Sequence, residues 1–245
     1  MTDSAKLEAP DFIIANKLQH AAKAAARIAH ATNWVAHSRK DSEAEVHIIG
    51  QIERGKGFWY LGAHDGFICE LSVSVGPPEI INSPWIPLSA QAVAITSFQG
   101  SQAAQATQTS KSKKCTVVWN HVIDLHYATN SIADWPRLRV SVYAVKGSQR
   151  IPFACGTASL PSEPGSFELE IKTWRPVSEN PWEDMISTFT GASAVDLPDT
   201  NVVDCKAALS RKAIVATSSG SVFVSGEVVL RKFAAYGVGA TGFSN

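Results

Sequence analysis

Five stretches of this chain alternate apolar and polar residues with a period of two, and that pattern leaves few folds open. Val46, Ile48, Gly50 and Ile52 alternate with Glu45, His47, Gln51 and Glu53. Phe67, Cys69, Leu71, Val73 and Val75 alternate with Glu70, Ser72 and Ser74. Leu138, Val140, Val142 and Ala144 alternate with Arg137, Arg139, Ser141 and Tyr143. The same holds for Phe167, Leu169 and Ile171 against Glu168, Glu170 and Lys172, and for Val222, Val224, Val228 and Leu230 against Ser225, Glu227 and Arg231. Successive side chains on a strand point to opposite faces, so each run has one apolar face and one wet face. Sheets with one wet face are typically antiparallel, and two of them bury their apolar faces by stacking. The pattern predicts an all-β, antiparallel β-sandwich.

The period changes before Ala44. Residues 12–37 contain no Gly or Pro, and Asp11 stands where an N-cap would accept backbone N–H bonds. Ile14, Leu18, Ala21, Ala25 and Ile28 recur at helical spacing, with Lys17, Lys23 and Arg27 mostly off that stripe. This predicts an N-terminal helical extension over 1–43, ahead of a domain over 44–239 and a short tail over 240–245. A basic amphipathic helix is also the mark of a mitochondrial transit peptide, but Asp3, Glu8 and Asp11 count against that reading.

A second, short helix is expected inside the strand region. Asn180 can cap it, Pro181 fits its first position, and Glu183 completes a capping box. Trp182, Met185, Ile186 and Phe189 fall on one side, and Gly191 ends it, so the helix is expected to plug an end or edge of the sandwich. The run from Pro84 to Lys114 is rich in Ser, Gln, Ala and Thr and reads as one long mobile loop.

Composition narrows the function classes. Lys+Arg and Asp+Glu both number 22, so no net field draws in nucleic acid or an anionic membrane. Cys69, Cys115, Cys155 and Cys205 are scattered, with no CxxC pair or zinc spacing, and read as reduced thiols. No apolar run approaches the roughly 20 residues that span a bilayer, and no signal-peptide core opens the chain. The chain reads as soluble and intracellular.

Three groups of residues could carry chemistry. His121, Asp124 and His126 invite a metal or acid–base site, but on a strand Asp124 and His126 share one face and His121 takes the other. A strand with a satisfied polar face is the plainer reading. Calcium needs six to eight oxygens; the loop at 144–150 carries no carboxylate, and the first-loop region offers Asp65 alone. No metal and no cofactor are therefore expected. Phe58, Trp59 and Tyr60, beside Arg54 and Lys56 at a glycine-flanked turn, form the candidate contact for a partner or a lipid surface. The competing reading is that these rings cap the end of the core. Trp135-Pro136 and Trp174-Arg175-Pro176 read as structural corners. No nucleophile elbow, phosphate-cradling loop or dinucleotide fingerprint appears, so no enzyme is expected.

Four blocks occur in an order that resembles one family. They are AEVHIIGQIERG (Ala44–Gly55), WNHVIDLHYATNSIADWPRLRVSVY (Trp119–Tyr143), LPSEPGSFELEIKTWRP (Leu160–Pro176) and LRKFAAYGV (Leu230–Val238). Together, from about Glu45 to Val238, they resemble the B9 domain family of ciliary transition-zone proteins. The resemblance implies a C2-like sandwich and carries no metal with the Ile123–Thr129 run. Where that family usually has an acidic residue before Phe-Gly-Arg, only Arg150 stands in register here. It also implies a non-catalytic scaffold at the basal body and transition zone, in the cytoplasm and cytoskeleton at the cilium base. The implied partners are other B9 domain proteins and the membrane-associated gating complex needed for cilium assembly. The alternative it leaves is a calcium-independent lipid-binding module at the same membrane.

Overall fold

A computed structural model describes residues 43–59, 64–75, 84–97, 104–113, 115–178, 180, 182, 185, 186 and 215–233. The chain divides into two units, 1–41 and 42–245, and every described residue belongs to the second. The expected helix over 12–37, the tail, and Tyr60, Phe189, Gly191 and Cys205 lie outside the described residues.

The alternating runs are strands. In chain order they are β1 (Ala44–Lys56), β2 (Gly66–Ser74), β3 (Trp85–Pro87), β4 (Thr96–Ser97), β5 (Gln105–Ala106), β6 (Thr116–Thr129), β7 (Arg137–Lys146), β8 (Gln149–Ser159), β9 (Gly165–Pro176) and β10 (Ala216–Arg231). They hydrogen-bond in the order β3-β6-β1-β10-β9-β8-β7-β2-β4, with β5 also on β2. Every pairing is antiparallel except β2 with β4. Strands β8 and β9 share the single pair Cys155↔Trp174, and the sheet turns over at that narrow link. One layer is β3-β6-β1-β10-β9 and the other β8-β7-β2-β4, as the all-β sandwich reading expected. The block Trp119–Tyr143 carries the chain from one layer to the other, since β6 pairs with β1 and β3 while β7 pairs with β2 and β8.

Facing follows the predicted parity. Val46, Ile48 and Ile52 of β1, Ile123, Leu125 and Tyr127 of β6, and Val222, Val224 and Val228 of β10 join one buried cluster with Leu71, Val73, Leu138, Val140 and Val142. Each such aliphatic side chain gains about 1.5–3 kcal/mol from burial. Polar groups tie the layers too: Trp119 Nε1 of β6 donates to the Phe67 carbonyl of β2 at 3.1 Å. Tyr127 OH meets Thr96 Oγ1 at 2.7 Å, and burial pushes its phenol well above the ordinary tyrosine range. Trp135 packs against Trp85, ring centroids 5.0 Å apart, and against Phe233, which makes it the corner expected. Trp174 instead lies within β9, opposite Ser218.

Two expectations need correction. The run from Pro84 to Lys114 is not one loop: it holds β3, β4, β5 and a helix, α1 (Ala90–Ile95). Ser89 caps α1, its hydroxyl accepting from Ala92 N at 3.2 Å, while Ala92 and Ile95 are buried. One helical turn needs only two apolar anchors, too few for a periodicity to show. The helix after Asn180 is capped as predicted, Asn180 Oδ1 accepting from Trp182 N at 3.1 Å. Its described apolar residues do not plug the sandwich, however: Trp182, Met185 and Ile186 are exposed, at 69%, 46% and 56%. Apolar spacing shows that a helix has an apolar side, not what that side touches.

Candidate functional site

The turn after β1 divides its aromatics. Gly57 adopts φ +80°, a conformation side chains resist. Phe58 then enters the core at 3% exposure, its ring 5.7 Å from Phe67 and Phe153 and 6.1 Å from Trp119. Gly55 makes the room, since a Cβ there would collide with the Phe58 ring and with Trp119. Trp59 points out at 75% exposure. Phe58 thus plugs the core and shares no exposed surface with Trp59. Arg54 is also engaged: its guanidinium sits 4.8 Å over the Phe223 ring and donates to Glu53 at 3.1 Å. Trp59 and exposed Lys56 are what the described part of the tip offers.

The polar residues of β6 are placed as parity predicted. Asp124 and His126 face outward, and His121 stands opposite core-facing Ile52. Strand β1 completes the outer face. His47 Nε2 lies 2.8 Å from Asp124 Oδ1, and His126 Nε2 lies 3.4 Å from Glu45 Oε2, which Arg231 also approaches at 3.5 Å. The His47 and His126 rings lie 5.0 Å apart. Burial, then the neighbouring His47, pulls the His126 pKa below the usual histidine range. Burial lowers that of His121, whose Nε2 has no hydrogen-bond partner among the described residues. Among the described residues no three of His, Cys, Asp or Glu gather as a metal site.

The residues considered for calcium have structural work. Asp65 Oδ2 accepts from Gly147 N at 2.7 Å and so pins the β7–β8 turn, where Gly147 has φ +58°. Arg150 pairs with Glu70 at 2.7 Å, and burial beside Glu70 holds the Tyr143 phenol up at about 12.

The outer face of β6-β1-β10 carries a feature that residue type alone did not flag. Val122, Ile49 and Val229 are 63%, 48% and 49% exposed. Register sets Gln51 against Val122, Ile49 against Asp124 and Glu227, and His47 against Val229. Val122, Ile49 and Val229 are therefore diagonal neighbours, a line of aliphatic side chains across three strands within mutual reach. The signal was in the sequence as doubled aliphatics, Val122-Ile123, Ile48-Ile49 and Val228-Val229. In an alternating strand, one member of such a pair must face outward.

Comparison with known proteins decides the family. A family profile described as "Ciliary basal body-associated, B9 protein" matches residues 46–229. The chain belongs to the B9 family. The B9 domain-containing protein 2 of Drosophila melanogaster is 32% identical over 196 residues, covering 80% of this chain and 98% of that protein. Its Homo sapiens namesake is 28% identical over 197 residues, with the same coverage. The B9 domain-containing protein 1 of Xenopus laevis is 26% identical over 202 residues, covering 81% of this chain and 91% of its own. All ten strands between Ala44 and Arg231 thus coincide, to within two residues at each end, with the matched B9 region.

Proposed function

We propose that this B9 protein is a non-catalytic scaffold at the ciliary basal body and transition zone. It assembles with other B9 proteins in the membrane-associated gating complex that cilium assembly needs. The observation that carries the docking mode is the exposed Val122–Ile49–Val229 line on an otherwise polar, hydrogen-bonded sheet face. An apolar centre ringed by His47, Asp124, Glu227 and Arg231 has the make-up of a protein interface, with shape and apolar contact at the middle and polar groups at the rim. Such contact persists at physiological salt, where the attraction of scattered surface charges is screened. Co-purification with a B9 domain-containing protein 1 partner tests it: the intact chain should retain the partner, and Val122→Asp with Ile49→Asp should lose it. Retention by that variant would remove this face from the account.

The lipid reading has one observation in its favour, the protruding Trp59 beside Lys56. One ring and one cation give only weak, salt-sensitive adsorption, each well-placed cation adding about 1 kcal/mol. Liposome co-sedimentation of the chain and of Trp59→Ser measures that contribution. Binding that survives physiological salt and vanishes in Trp59→Ser would favour the lipid module.

A further inference from the structure

We propose that the outer edge of β6 is a latent strand-pairing surface for a second copy of this chain, and that Ser89 and Gln91 hold it closed. Strand β6 lies next to the sheet's end, where the short β3 pairs with Tyr127–Thr129, the Leu88 N–H donates to the His126 carbonyl at 2.7 Å and Lys113 pairs with Thr116. The remaining edge would present a row of free N–H and C=O groups, the template on which another chain adds a strand.

Two side chains take the place of that strand. Gln91 Oε1 accepts from the Asp124 N–H while its Nε2 donates to the Val122 carbonyl at 3.1 Å. The amide thus reproduces the donor–acceptor pair of a neighbouring peptide unit. Ser89 Oγ donates to the Asp124 carbonyl at 2.8 Å and accepts from the His126 N–H at 3.2 Å. Gln91 is itself steadied by Gln105 Oε1 at 2.9 Å, and Ser89 by its role as the cap of α1. Further along, Gln108 Nε2 donates to the Trp119 carbonyl at 3.1 Å.

The strand's own residues add little protection. From Thr116 to Thr129 it has no Lys, Arg or Pro, the residues that usually discourage edge pairing, and Asp124 is its one carboxylate. Val118 and Val122 stand 49% and 63% exposed on it. A second copy fits such an edge: an antiparallel pair centred on Val122 sets that side chain against its own copy and keeps the two Asp124 carboxylates apart. The resulting two-fold pair would close on itself.

The test is sedimentation velocity of the full chain against Gln91→Ala over rising concentration. Alanine is a good helix former at that position and leaves the Ser89 cap in place, so α1 should persist. The intact chain should show no association through this edge. Gln91→Ala should associate, its apparent mass rising toward twice the 26.3 kDa of one chain. Adding Val122→Lys to Gln91→Ala should return it to the intact chain's behaviour, because a lysine on the edge opposes pairing. Two results overturn the proposal: Gln91→Ala that sediments as the intact chain does while keeping its strand circular dichroism, or association that Val122→Lys leaves untouched. Should Gln91→Ala fail to fold, Gln91→Met puts the same question. It keeps the side chain's length and helix preference, loses both the acceptor for Asp124 N–H and the donor to Val122, and is scored by the same two results.

Discussion

The turn after β1 and the outer face of β6-β1-β10 make opposite use of their residues. At the turn, neighbouring aromatics and cations announce a contact site, yet Phe58 is buried and Arg54 is spent on Phe223 and Glu53. On the face, aliphatic residues embedded in ordinary strands line up as Val122, Ile49 and Val229 and stay exposed. Residue type drew attention to the first region. Strand parity and register, which decide what reaches solvent, favour the second.

The sharpest break of this comparison is within the turn itself. Phe58→Ala should cost about 3–5 kcal/mol, the range for removing a buried aromatic, while Trp59→Ala should stay within about 0.5 kcal/mol. Chemical denaturation of both variants measures it. Similar costs would mean the two rings share one environment. Gly55→Ala should fall between them, at about 1–3 kcal/mol, because its methyl group must displace Phe58 or Trp119.

A third expectation concerns pH on the face side. The folded pKa of His126 and of His121 lies below the ordinary histidine value of about 6.5. As pH falls through that value the unfolded chain takes up protons first, so it binds more protons than the folded chain. Stability therefore rises with pH in that window and declines on acidification from about pH 7.5 to 5.5. His121→Gln and His126→Gln should each flatten the decline in urea midpoints.

The smallest expected effect is that of calcium. Asp65 is committed to Gly147, and the β7–β8 turn brings no carboxylate of its own. Millimolar calcium should leave the melting temperature unchanged, where a ligand at a hundred times its dissociation constant would add about 2.7 kcal/mol. A clear rise would show oxygen ligands that the turn sequence does not supply.

Much of the fold was legible because alternation is a local property. Val46, Ile48 and Ile52 face the core whatever strand they pair with, as do Leu138, Val140 and Val142. The Asn180 cap was legible for the same reason, being set by neighbours in sequence. Pairing was not legible: nothing within β6 says that it lies against β1 and β3 rather than β7. The site inherited that gap. Phe58 turns inward because Gly55, three residues earlier, and Trp119, on another strand, leave its ring a space. The line Val122–Ile49–Val229 exists only once three strands have found their register. The helix α1 was missed since its anchors, Ala92 and Ile95, are too few to make a pattern.

We propose that the β6-β1-β10 face, not the tip, is the surface that docks a B9 protein. The direct measurement is the affinity of purified full-length variants for a B9 domain-containing protein 1 partner. Ile49→Lys with Val122→Lys should weaken binding at least tenfold, about 1.4 kcal/mol, with stability changed by about 0.5 kcal/mol or less per site. Trp59→Ser should bind as the unaltered chain does. Undiminished binding by the face variant, with loss in Trp59→Ser, would contradict the account and return the contact to the tip.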